Sequence, residues 1–330
     1  ADEESGITAA LIKDRAMTVL DDVAEKNASA VFSGAFDNVY CKPYDDGKTY
    51  LAPLFFEQEG LIYNKKLLSE NGWSLPTTWD EFVALAEKCD EKNIAVFTYA
   101  GREPEEFVNM FAAAAVPAVG TEQMNKLLSC DKDTWTDNEQ AKAFAEKLDA
   151  IKKLVVSGSS TKTHDDVTES FKKGEALFIS GSTADLAKLL EDENGDYGFA
   201  AYPSLSGERV NVISVSEMYI PIEAKNADLG KKFMSFLYSD AAAAVAAETV
   251  KKLPPVASAT SLAAQYEFGA AEKEAYSALT SSVYAPKFMV KAADNESLSD
   301  EFCALAVSVF KGNVKPEEFA SKMVEYIEKY

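Results

Sequence analysis

Carboxylates, aromatic rings and one tight turn are the chain's candidates for chemistry. The segment Thr98-Tyr99-Ala100-Gly101-Arg102-Glu103-Pro104 follows an apolar strand run and leads into a helical pattern, a place where backbone N–H donors and a few side chains converge. A two-carboxylate hydrolase would draw on Glu57 and Glu103 as its nearest pair, but that chemistry needs a set carboxyl separation and one raised pKa, and no motif supplies either. Metal and triad chemistry lack partners. His164 is the single histidine and sits among Thr163 and Asp165-Asp166, which reads as a polar surface loop. Cys41, Cys89, Cys130 and Cys303 form no CxxC pair or metal spacing. Two bridges among them would pair in three ways, but a chain this long needs no staples to fold, so mostly free, partly buried thiols are expected.

The elements that must position these groups alternate between helical and strand patterns, the signature of an α/β fold. Helical periodicity covers 79–91, 104–115, 138–156, 165–173, 183–191, 227–238, 240–249, 269–280, 297–311 and 316–328, and apolar strands fall near 50–56, 60–63, 94–98, 176–179, 197–201 and 211–222. Leu61, Ile62, Ile94, Val96, Leu177, Ile179 and Phe199 lie in these strand runs and are the predicted sheet core. The polar connection from Cys130 to Glu139 reads as a surface excursion. The 330 residues suggest about two domains, and no apolar run approaches the ~18 residues that cross a bilayer. With 33 basic against 54 acidic side chains, the formal charge of -21 repels phosphate backbones and argues against nucleic-acid binding.

Residues 53–82 carry the most specific pattern. Gly60–Tyr63 reads as a buried strand closed by Asn64-Lys65, a short helical turn follows to Asn71-Gly72, and Pro76 then sets an extended entry to a helix capped by Thr77 or Thr78 with Asp80 and Glu81 in its first turn. This order resembles the extracellular solute-binding proteins of ABC importers, specifically the sugar-binding group typified by maltose-binding protein, which carries a Tyr-Asn-Lys strand end, a Gly turn and a Pro-x-Thr-Trp-x-Glu-Phe helix start. The resemblance continues through Phe171–Gly181, Tyr197–Pro203, Tyr219–Leu237 and Phe310–Phe319, and covers residues 36–330.

That resemblance implies a two-lobe periplasmic-binding-protein type II (Venus flytrap) fold, with lobe one at 1–52 and 215–284, lobe two at 53–214 and 285–330, and crossings near 52, 214 and 285. Members normally open with further strands and helices before the point where Leu11 stands, so the first lobe is expected to be truncated, through a shortened gene product or a reduced lobe, with Leu11, Ile12, Val19, Leu20 and Val23 the residues available to cover it. The implied function is capture of a carbohydrate, an oligosaccharide by preference, in the cleft between the lobes, and delivery to ABC permease subunits by a monomer without cofactor or catalysis. Residence would be extracellular, on the bacterial cell surface as a lipoprotein held by an upstream lipid anchor, or periplasmic.

Sugar sites combine aromatic faces, which stack on pyranose rings, with carboxylates, amides and guanidinium groups that bind hydroxyls. By the resemblance, Glu57 takes the place of a ligand-contacting acid, with Phe55 and Phe56 flanking it, one in the core and the other in the cleft; Tyr99, Arg102 and Glu103 line the turn; Thr183 stands where relatives place a stacking tryptophan; Glu217 and Tyr219 face the cleft or pack the hinge; and Phe288 precedes the final helices. Glu105 replaces an aromatic expected after Glu103-Pro104, for which Tyr99 is the substitute; Ser299 stands where another stacking aromatic is common, and with two stacking positions lost maltodextrin-like recognition is weakened. A homologue that no longer binds sugar and serves as an interaction module is the competing reading, with a carbohydrate hydrolase behind it.

Overall fold

The computed structural model describes residues 8–329 except 9, 33, 38–40, 45, 193–194, 209, 251, 253, 267, 271–272, 274–283 and 287–295. Strands β1 (Ala52–Asn64), β2 (Ala95–Thr98), β3 (Ala176–Ser182), β4 (Tyr197–Ala200), β5 (Asn211–Met218) and β6 (Tyr284–Pro286) alternate with helices in an α/β chain. The chain gathers into two compact units: a first from Ala1–Glu57, Ile213–Ser281 and Met289–Glu296, and a second from Gln58–Val212, Ser282–Phe288 and Ser297–Tyr330. It therefore passes between them within β1 and within β5.

One unbroken strand stands where the apolar pattern suggested two. Glu57, Gln58 and Glu59 interrupt the apolar run, yet β1 continues through them for 13 residues, with Phe56, Gln58 and Gly60 buried and Phe55, Glu57 and Glu59 only half-buried. The period of two lets the polar side chains leave one face while the ladder carries on. In the second unit β1 pairs antiparallel with both β3 and β4, so that Ile62 lies opposite Ile179 on one side and Phe199 on the other. A side chain at Gly60 would meet the Ala200 carbonyl at 2.4 Å, so this close pairing requires glycine. β2 adds parallel to β3 with Phe97 opposite Phe178.

The predicted sheet core is buried throughout except Ile94, which is half-buried just before β2 begins. The helix Trp79–Asp90 starts on a full capping box, in which Thr78 accepts from the Glu81 amide while Glu81 accepts from the Thr78 amide. Its apolar positions Trp79, Phe82, Leu85, Ala86 and Cys89 recur at helical spacing and are all buried. They lead into a cluster of rings in which Phe302 lies 5.2 Å from Phe111, 6.0 Å from Trp135 and 5.5 Å from Phe319. Trp135 corrects the expected surface excursion: a short helix, Lys132–Trp135, capped by Asp131, turns its indole fully into this core, where the ring N–H donates to the Leu127 carbonyl at 2.8 Å. The helix expected to end at 115 continues as Glu106–Leu128, past Pro117 and through a non-helical Gly120 at φ 79°. Helix Ala259–Gln265 was not legible in the pattern, and the helix expected at 269–280 lies largely outside the described residues.

In the first unit Phe56 packs on Phe32 with ring centroids 4.7 Å apart, and the Tyr238 hydroxyl donates to the Pro53 carbonyl at 2.6 Å. Of the residues available to cover this unit, Ile12, Leu20 and Val23 are buried and Leu11 and Val19 half-buried. The four cysteines are free thiols.

Phe302→Ala should open a cavity among the rings of Phe111, Trp135, Phe144 and Phe319 and cost about 3–5 kcal/mol. Trp73, Trp79 and Trp135 all lie in the second unit, so urea titration followed by tryptophan fluorescence reads this loss there; a midpoint equal to wild type would show that the ring cluster does not hold the unit together.

Candidate functional site

The turn after β2 is clamped from three sides. Gly101 N–H donates to the Ser159 carbonyl at 3.0 Å, Arg102 N–H to the Lys162 carbonyl at 3.1 Å, and Glu103 N–H back to Ala100 at 2.9 Å. A side chain on Gly101 would stand 2.3 Å from Ser160 Cα, so two backbones touch here and only glycine fits. This clamp leaves Arg102 and Glu103 exposed. Tyr99 goes the other way, which alters the role expected of it: it is 3% exposed, stacked on Phe310 at 4.8 Å and edge-on to Phe107 at 5.2 Å, and burial pushes its hydroxyl up to about 12. It is a packing ring beneath the turn, because the residue after β2 continues the strand's inward face.

Glu103 accepts from the His164 backbone N–H at 3.3 Å. The His164 imidazole lies 3.4 Å from Glu105 and 3.9 Å from Glu103, and its hydrogen bond with Glu105 raises its pKa above the ordinary range. The residue expected in a polar loop is thus the first of helix His164–Lys172, capped by Thr163. Its partners stand some sixty positions earlier in the chain, beyond any local signal. Thr183 opens helix Thr183–Leu189, which Ser182 and Asp185 cap reciprocally, and is half-buried.

In the first unit Glu57 forms an ion pair with Lys252, both side chains partly exposed. Lys252 was missed by sequence reasoning, since nothing in the chain near it marks a site. Phe56, expected beside Glu57, faces the opposite side of β1 and is 3% exposed; Phe55 shares Glu57's face. Glu217 on β5 is half-buried, and burial pushes its carboxyl up to about 7 against a weaker opposing hydrogen bond from its own amide. Tyr219 packs against the small core of Ile12, Met17 and Leu51. Phe288 lies outside the described residues.

The structure adds a polar group that the sequence reading passed over. Glu106, at the start of helix Glu106–Leu128, is 5% exposed; its Oε1 accepts from the Ala100 N–H at 3.1 Å and its Oε2 has no partner. Burial pushes this carboxyl up to about 8. One turn on, Asn109 is also buried, with Oδ1 unpartnered and its side chain hydrogen-bonded to the Tyr202 phenol, which in turn bonds Ser180. Among the described residues no cluster of His, Cys, Asp and Glu has the arrangement of a metal site.

With this architecture in view, the chain belongs to the bacterial extracellular solute-binding proteins, whose family pattern it matches over residues 5–244. Among curated proteins it is 26% identical over 210 residues to the multiple sugar-binding protein of Streptococcus mutans, covering 61% of this chain and 50% of that one. It is 24% identical over 261 residues to the diacetylchitobiose binding protein NgcE of Streptomyces coelicolor, covering 72% and 53%. The chain thus spans about half the length of the curated relatives it matches. Its fold is shared with the sugar-binding protein MalE from Xanthomonas citri, with a TM-score of 0.77 at 15% identity, covering 97% of this chain and 81% of that one. A family 1 extracellular solute-binding protein from Bifidobacterium longum subsp. infantis gives 0.74 at 18%, covering 98% and 83%.

The raised Glu217 carboxyl carries a sign. The folded chain holds its proton up to about 7, whereas an unfolded glutamate releases it near 4.5. Folding therefore gains most from the neutral form below 4.5 and loses that contribution as pH rises to about 7. Melting temperatures across this range should fall more steeply for wild type than for Glu217→Gln; parallel profiles would mean Glu217 is ionised in the fold.

Proposed function

We propose that this protein is the substrate-binding component of an ABC importer that takes up a carbohydrate, an oligosaccharide by preference, and hands it to a membrane permease. The observation that supports it most is the family match over residues 5–244, joined to relatives whose names specify multiple sugars and diacetylchitobiose. The side chains agree with that chemistry. Glu57 and Lys252 in the first unit put an acceptor beside a donor, and Arg102 and Glu103 in the second do the same at an exposed turn. Sugar hydroxyls both donate and accept, so such pairs engage a neutral polyol without leaving a charge unmatched. Glu217, Thr183 and Phe55 are further candidates for contact. With Tyr99 buried and Thr183 in place of a stacking ring, recognition rests more on hydrogen bonds than on stacking.

Binding without catalysis is the reading favoured. An acid catalyst needs a carboxyl kept protonated in apolar surroundings; Glu57 instead faces the Lys252 ammonium, and Glu103 is exposed beside His164. On this reading the protein acts outside the cytoplasm, at the cell surface or in the periplasm, and does so as a monomer. A second reading, an interaction module that no longer binds sugar, draws on one feature: Leu229, Phe233 and Phe236 of helix Ala227–Leu237 are 65%, 59% and 54% exposed on one face.

Calorimetric titration with a panel of mono- and oligosaccharides, N,N′-diacetylchitobiose included, decides between them. Saturable binding by wild type is expected, and Glu57→Ala should leave ligand hydroxyls unpaired at a cost of about 1–3 kcal/mol, roughly a tenfold to hundredfold loss of affinity. Stability should change little, since the Glu57–Lys252 pair is partly exposed. Silence from the whole panel favours the interaction module, and equal affinities remove Glu57 from the site.

A further inference from the structure

Glu106 has no role in the function proposed above, and its surroundings are unusual for an acid. It lies at the first position of helix Glu106–Leu128, directly beneath the clamped turn, with Oε1 on the Ala100 amide and Oε2 buried without a donor. Asn109, three residues on and hence on the same helix face, presents a second buried oxygen without a donor, its amide group being engaged by Tyr202. Each acceptor without a donor is costly to bury. A proton on Glu106 lowers that cost: the carboxyl becomes neutral and no longer buries a charge.

We propose that Glu106 is a positioning residue, a buried carboxylic acid that holds the Ala100–Glu103 turn in the shape that presents Arg102 and Glu103, and whose loss of a proton loosens that turn. The inference rests on the carbohydrate reading only in taking the turn as part of the ligand site. Ionised, Glu106 would still accept from Ala100, but its second oxygen would carry buried charge without a donor. The cheapest relief is to let water in, and the turn that Glu106 hydrogen-bonds reaches solvent at Arg102 and Glu103. The other groups around it push the same way. Glu105 repels a charge on Glu106, and the Tyr99 and Tyr202 phenols are themselves held neutral by burial. Opposing them are the Glu106 and Ala100 amides and His164, and His164 gives up its own proton as pH rises. Since burial places the Glu106 transition at about 8, nearly all the carboxyl is neutral at pH 6 and roughly nine-tenths is ionised at pH 9.

Amide hydrogen exchange on the full chain, corrected for intrinsic rates, tests this without any ligand. In wild type, protection at Ala100 and Gly101 should fall on the order of tenfold between pH 6 and pH 9, while amides in the helix Trp79–Asp90 keep theirs. Glu106→Gln, which stays neutral and keeps an acceptor for Ala100, should hold its protection at both pH values. Glu106→Leu, which has no acceptor, should lack it at both. The same pH-dependent fall in Glu106→Gln would assign the effect to His164 and overturn the proposal, as would wild-type protection in Glu106→Leu. Titration of wild type and Glu106→Gln with N,N′-diacetylchitobiose, or with the panel sugar that binds, adds the functional arm: affinity should decline with pH in the first and not in the second. If no sugar binds, the carbohydrate reading fails while the exchange data still decide the role of Glu106.

Discussion

The structure depends on one constraint: a single strand, β1, must pass from one unit into the other without losing its ladder. Where it runs in the second unit it is hydrogen-bonded on both edges, to β3 and to β4. A strand paired on both sides cannot slip by one residue without turning every side chain to the wrong face. That register dictates which of its residues are packing and which are available. Phe56 goes to the core on Phe32, while Phe55, Glu57 and Glu59 are directed to the less buried face. The Glu57–Lys252 pair is a consequence of that register.

A similar economy governs the turn after β2. Its conformation is set by backbone contacts, with Gly101 against Ser160 and two amides on the carbonyls of Ser159 and Lys162. Such contacts tolerate no side chain at 101 but leave Arg102 and Glu103 exposed. Directly below, the ring stack of Tyr99, Phe107 and Phe310 excludes water. The same exclusion leaves the Glu106 carboxyl so poorly solvated. Rigidity of the turn and the abnormal acidity of its support have one cause.

The acidic surface belongs to a different level of organisation. A charge of -21 on 330 residues is spread over solvated faces and bears on solubility and on which partners are repelled. The local pairs, Glu57 with Lys252 and Glu103 with the His164 amide, are contacts in which the net charge plays little part.

By itself the sequence determined the alternation of helices and strands, the capping box at Thr78 and Glu81, the buried faces of the sheet and the family pattern from Pro53 to Phe82. These are local properties: periodicity, cap chemistry and turn residues act within a few positions of one another, so they can be read in order along the chain. Tertiary structure alone decided that the two apolar runs around Glu57 are one strand, that Trp135 closes a core and does not ride on the surface, and that Tyr99 packs while Arg102 projects. It alone brought Lys252 to Glu57, His164 to Glu103 and Glu105, and Glu106 to the Ala100 amide in a setting dry enough to raise its pKa. In the first two cases the partners stand many tens of residues apart. In the third the spacing is short but the effect comes from exclusion of water by rings elsewhere in the chain, and desolvation is a property of the packed unit that no stretch of sequence carries.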